Sequence, residues 1–243
     1  CYLNKKIMGR LYLDNSNPRT AYDIFKHEFN TGDLILFSGK HSIISSTIRF
    51  WTKSHYSHIG MVIVNPILEE PDGSQKELRG IYLIESGGEP ILDADDKVYK
   101  FGVQIVPLEE VVNTYDGSIY WRKLNISAST LTYDEIRIHL SKIYKYIKNK
   151  KYDLDLIDLL TIDLNIDTEQ QVSTCVFFNW FRHDTQKQDK FVCSALVAFL
   201  YTKLEFLPSI TQWTEVSPKY FSDENLNLKL ENDVLLENQQ KIK

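Results

Sequence analysis

The stretch that most constrains this chain is Ser57-His58-Ile59-Gly60-Met61-Val62-Ile63-Val64. It is rich in β-branched residues and apolar on both faces. A run of that kind predicts a buried strand. Gly32-Asp33-Leu34-Ile35-Leu36-Phe37 opens on a turn signal and predicts a second strand. Ile81 to Ser86 predicts a third, ended by Gly87-Gly88. Between them, residues 65–80 carry two prolines, Asp72-Gly73 and several charges, which predict a loop. Residues 103–108 and 118–124 read as two further strands, and the alternation of Leu226, Leu228 and Leu230 as an edge strand.

Helical spacing appears elsewhere. Ile44, Ile48 and Trp51 predict a helix over Ile43 to Thr52. Ile136, Leu140, Ile143, Tyr144 and Ile147 form one stripe of a helix over Leu131 to Asn149. Leu154 to Ile162 and Val192 to Leu204 complete the set, while 163–190 reads as polar and irregular apart from Val176 to Phe181. The expected fold is α+β: an antiparallel sheet or partial barrel packed on the helix that begins near Val192. The expected division is an N-terminal extension over 1–30, a domain over 31–222 with a helical insertion at about 125–190, and a C-terminal tail over 223–243.

Composition limits the functions open to this chain. Its 243 residues, 43% hydrophobic, suffice for a sizeable core without disulfide staples. The net charge of −5 and the lack of a basic stripe argue against a nucleic-acid partner. Three cysteines, Cys1, Cys175 and Cys193, show neither metal spacing nor an even count, so they read as free thiols in a reducing compartment. No apolar run approaches the ~18 residues of a membrane span, and no secretory leader is visible. A cytoplasmic or virion-associated protein is expected, with peripheral membrane contact left open. Cys1 in place of Met suggests a fragment or a processed form, a bacterial lipoprotein being the less favoured case.

Chemistry concentrates at Cys193. Leu196, Val197, Leu200, Tyr201 and Leu204 follow it at helical spacing, so one helix face packs inward with Cys193 in the first turn. There the thiol feels the positive end of the helix dipole, which favours thiolate. Unused backbone N–H groups at that end can hold an oxyanion. The plainer alternative is a core cysteine, since free cysteine is among the most buried residue types. His58 opens its strand beside a loop, a place suited to a working side chain. Gly60, lacking a side chain, would let a backbone or a substrate approach. Should Val64 face Arg79 in an antiparallel pair, His58 faces Glu85, with Cβ atoms ~4.5–5.5 Å apart. A carboxylate so placed orients an imidazole and stabilises its protonated form.

Other groupings carry less. His55 and His58 lie three apart on a strand, hence on opposite faces, which discounts a metal pair. His183 near Cys175 sits among polar loop residues, and Gly87-Gly88 lacks the helix and basic partner of a phosphate cradle. No metal or organic cofactor is expected.

The order Gly-Asp-Leu-Ile-Leu-Phe, Ser-His-Ile-Gly-Met-Val, Ile-Glu-Ser and Phe-Val-Cys-Ser-Ala-Leu-Val resembles the circularly permuted NlpC-type papain-like superfamily. Bacterial lipoprotein-like hydrolases, poxvirus proteins and, more remotely, lecithin:retinol acyltransferases belong to it. Its permuted members place the histidine strand first and the cysteine helix late, as here. Lys151-Tyr152-Asp153 and Val216-Ser217-Pro218-Lys219-Tyr220-Phe221 resemble two further motifs of the group. The resemblance spans roughly residues 31–222. It implies a thiol hydrolase or acyltransferase acting through an acyl-enzyme, with Cys193 as nucleophile, His58 as base and Glu85 as orienting acid. Tyr56, Tyr152 and Ser194 are the candidates for lining the cleft. The implied partner is an amide or ester: a peptide, a cell-wall fragment or a lipid. A non-catalytic binding or virion-associated structural protein on the same fold is the alternative. One departure is Ala195, where many bacterial members carry an acidic residue two positions after the cysteine.

Overall fold

A computed structural model describes residues 21–39, 55–70, 72–148, 192–213 and 216–243. The fold is mixed α+β, built on a six-stranded sheet whose neighbouring strands all run antiparallel. In chain order the elements are α1 (Ala21–Phe25), β1 (Leu34–Ser38), β2 (His58–Val64), β3 (Ile67–Glu69), β4 (Gln75–Glu77), β5 (Ile81–Leu92) and β6 (Tyr99–Pro107). They continue with α2 (Leu108–Thr114), β7 (Ser118–Arg122), β8 (Leu124–Asn125), α3 (Tyr133–Ile147), α4 (Val192–Lys203), a 3₁₀ turn (Pro218–Phe221), β9 (Leu235–Leu236) and β10 (Gln240–Lys241). The sheet order is β10-β7-β1-β2-β5-β6, which sets β2 near the centre.

That central place explains why β2 is apolar on both sides. Ile59, Met61 and Ile63 face α3 and α4, joining Leu34, Leu36, Ile84, Leu140 and Leu200 in one core. Val62 faces the other way, into a second core of Ile35, Phe37, Leu83, Val106 and Trp121. Tyr22 and Phe29 close this second core from the N-terminal side, and Ile242 closes it from the C-terminal side. Alternation along each strand thus feeds two cores from one sheet.

Helix α3 starts where Thr132 and Glu135 form a capping box. The Glu135 N–H donates to Thr132 Oγ1 at 3.2 Å, and the Thr132 N–H donates to Glu135 Oε2 at 2.8 Å. All five residues of the expected stripe, from Ile136 to Ile147, are buried. Helix α4 is tied to the start of β1 by the Tyr201 hydroxyl, which donates to the Gly32 carbonyl at 2.8 Å. Next to it, the fully buried Asp33 accepts from Trp121 Nε1 at 2.8 Å and from the Asn30 and Leu124 N–H groups at 2.9 Å. Burial pushes its carboxyl up to about 7 against the pull of those donors.

Several expectations are corrected. Residues 65–80 are not a bare loop: β3 and β4 pair as a small hairpin, and Leu68 packs beneath it against α3. Its charges fall where a two-stranded ribbon tolerates them. Strand β5 does not stop at Gly87-Gly88. Gly87 pairs with Gly102, the register then shifts, and pairing resumes at Ile91 with Lys100, so the glycines mark an irregularity inside the strand. Leu226, Leu228 and Leu230 form no strand; Leu226 is exposed, and the extended pairing comes later, where β10 adds to β7. The tail is therefore part of the sheet, and the Lys243 ammonium donates to the Val112, Asn113 and Tyr115 carbonyls at the end of α2. The expected helices over 43–52 and 154–162, Tyr152 with its motif, Val176 to Phe181, Cys1, Cys175 and His183 lie outside the described residues. No described helix is long and apolar enough to cross a membrane.

Candidate functional site

Two elements begin at one place. Strand β2 opens with His58, and α4 opens one residue before Cys193. The Cys193 thiol is a hydrogen-bond partner of the His58 ring. On the ring's other side, Nε2 lies 2.6 Å from Glu85 Oε2. The ring also rests against Phe37, its partner across β1 and β2, with centroids 5.2 Å apart. Glu85 and Cys193 are 3% and 4% exposed, whereas the His58 side chain keeps 24% of its surface open.

Glu85 arrives by a register different from the one expected. Val64 faces Ile81, not Arg79, and Met61 faces Ile84. The slip is two residues, and an even slip preserves the face of every side chain. Continuing that ladder sets Gly60, rather than His58, beside Glu85, so the His58 ring reaches Glu85 on the diagonal. Gly60 leaves no room for a ligand. A Cβ there would come within 2.7 Å of Leu83 Cγ, so Leu83 already fills the space.

Electrostatics follow from this packing. Burial works against the His58 imidazolium, but Cys193 and the Glu85 carboxylate, each also a hydrogen-bond partner, outweigh it and raise the group to about 10. Burial works against the Glu85 carboxylate too. The His58 charge and the hydrogen bonds from His58 and Gln104 overcome it and hold Glu85 below its usual range. At neutral pH the site therefore holds an imidazolium against a carboxylate.

Of the remaining expected residues, Tyr56 and Ser194 fall among the described ones. Tyr56 is 3% exposed; its hydroxyl accepts from Gln239 Nε2, and its ring packs edge-on against Tyr120. Ser194 is wholly buried, and its hydroxyl donates to the Val216 carbonyl, which fastens the segment before the 3₁₀ turn onto α4. Both serve packing rather than the lining of an open cleft. His55 is exposed and joins no metal-ligating group; among the described residues no set of three or more His, Cys, Asp or Glu could hold a metal ion. Sequence reasoning missed Gln104, fully buried, whose Nε2 donates to Glu85 Oε1 at 2.9 Å. Its signal was a lone amide inside the apolar run Val103-Gln104-Ile105-Val106.

No protein-family profile matches the chain. A viral relative does. The chain is 24% identical over 177 residues to "Uncharacterized protein R372" of Acanthamoeba polyphaga mimivirus. That match takes in 66% of this chain and spans 63% of the relative's length. A crystal structure of metalloprotein yiiX from Escherichia coli O157:H7, described as DUF1105, overlays with a TM-score of 0.33 at 23% identity. The overlay takes in 51% of this chain and 53% of that one, too little to bear on fold or function.

Proposed function

We propose that this chain is a cysteine-dependent hydrolase or acyltransferase with the permuted papain-like arrangement that its sequence resembles. One observation carries the reading: the His58 ring is held between the Cys193 thiol and the Glu85 carboxylate. The roles follow from chemistry. In the reactive form the proton already rests on His58, and the Cys193 thiolate attacks the carbonyl carbon of an amide or ester. As the S–C bond forms, the carbonyl oxygen gains charge, and the backbone N–H groups in the first turn of α4 are the donors proposed to meet it. The C–N or C–O bond then breaks, and the leaving amine or alcohol takes the proton from His58. Water or an acceptor hydroxyl next attacks the thioester while His58 removes its proton. The S–C bond breaks, and the Cys193 sulfur leaves as thiolate beside the protonated His58. Glu85 keeps the ring oriented and compensates its charge throughout. A viral setting is proposed with this activity, supported by the mimivirus relative. The acyl donor is a peptide, a cell-wall fragment or a lipid ester.

A binding or structural protein on the same fold is the second reading, and the 4% exposure of Cys193 favours it. Alkylation separates the two. Native protein is treated with iodoacetamide across pH 5–9, and labelling at Cys193 is followed by peptide mass spectrometry. A working site reacts well below the ordinary thiol range of ~8.5, and His58→Ala moves the profile upward. Labelling of Cys193 only after denaturation would leave the binding reading in its place.

A further inference from the structure

The proposed machinery contains a fourth member. Gln104 stands directly across from Glu85 in the β5/β6 ladder, so the backbone pairing itself aims one side chain at the other. Its amide Nε2 donates to Glu85 Oε1 at 2.9 Å, while the His58 ring takes Oε2 at 2.6 Å. Both carboxylate oxygens are thereby committed, one to each neighbour. Gln104 is fully buried and Glu85 nearly so. Resting on the function proposed above, we infer that Gln104 is a positioning residue, which fixes the plane of the Glu85 carboxylate so that Oε2 is presented to His58.

The argument turns on rotation. A carboxylate held by one bond swings about its last torsion, a broad two-fold well. A second donor on the other oxygen removes that freedom. An amide suits the task because it donates without carrying a charge, so it supports the ionised carboxylate without competing with the imidazolium. Neither a carboxylate nor a thioether does this. The titratable groups that meet at this point are Glu85 from β5, His58 from β2 and Cys193 from α4.

A double-mutant cycle tests the inference with full-length protein. Gln104→Met keeps the length of the side chain and removes the donor. It is made alone and with Glu85→Gln, and two quantities are read: the His58 titration by NMR and the pH profile of Cys193 alkylation. Gln104→Met alone should lower the His58 titration by about one pH unit and slow alkylation at pH 7 roughly tenfold. In the Glu85→Gln background it should add nothing, because its action passes through Glu85. An equal, additive effect in both backgrounds, or no effect in either, overturns the inference. If Gln104→Met does not fold, Gln104→Asn runs the same cycle; it keeps the donor on a shorter stem and should give an intermediate shift that again vanishes in Glu85→Gln. The function and the inference fail separately. If His58→Ala leaves Cys193 reactivity untouched while Gln104→Met still moves the His58 titration, the catalytic reading falls and the positioning of Glu85 stands.

Discussion

The two ends of β2 make opposite use of polar side chains. At the Val64 end lies a hollow of about 310 Å³, bordered by Thr31, Asn65, Glu77, Tyr133, Asp134 and Arg137. There Arg137 pairs with Asp134 at 2.7 Å, approaches Glu77 at 3.4 Å and donates to the Asn65 carbonyl at 2.9 Å, all near solvent. At the His58 end the Glu85 carboxylate is withdrawn from water, and His58 is compensated by both Cys193 and Glu85. Water forgives the loss of a partner at the first end; nothing replaces it at the second. The hollow at the Val64 end is therefore not where the chemistry concentrates.

That contrast can be broken or sharpened by substitution. The largest effect belongs to Cys193→Ala, which should abolish acyl-enzyme formation entirely, read by intact-mass trapping with an activated ester. Residual trapping would move the nucleophile elsewhere. His58→Ala should lower turnover by roughly 10²–10⁴-fold; an unchanged rate would reduce the buried charges to architecture.

Glu85→Gln comes next, retaining the fold with a smaller loss of turnover. It should also change stability against pH. His58 is raised by folding, so its contribution is full below ~6.5 and fades as pH rises through about 10. Glu85 is lowered by folding, so its contribution is full above ~4.3 and fades as pH falls below that. Urea titrations of wild type and Glu85→Gln should converge in acid and separate toward neutrality. Parallel curves would show that the carboxylate does not titrate as described. The smallest effect belongs to the other end. Arg137→Ala should cost ~0.2–1 kcal/mol and leave Cys193 alkylation unchanged. A loss above that range would mean the hollow is as tightly coupled as the thiol site.

Much of this was legible in the residues. Helix α3 announced itself by period, because it buries one regular face, while β1, β2 and α4 showed as apolar runs. Cys193 and His58 were reached by asking what each element's end could present, and Glu85 by an assumed strand pairing. Glu85 survived a wrong register because the error was even, and parity rather than exact pairing decides a face. Gln104 was lost because it lies inside an apolar run on a strand whose neighbour could not be known in advance. Ser194 and Tyr56 looked available because polar tips suggest a cleft, yet both tips are spent on Val216 and Gln239. Sequence shows which residues can do chemistry. Which of them are occupied by packing depends on contacts from remote segments, such as the 216–243 region here.

The order of the elements also sets a clock. His58 and Glu85 lie on neighbouring strands of the first half of the chain, while Cys193 begins a helix far beyond them. During synthesis the histidine and its carboxylate can be in place before the cysteine leaves the ribosome. Closing the long loop to α4 is then the step that assembles the site. The thiol spends that interval without its imidazole, no more reactive than a free cysteine. Fast labelling of Cys193 would thus report the completion of folding, and a refolding experiment could use it as a stopwatch for the docking of the last helix.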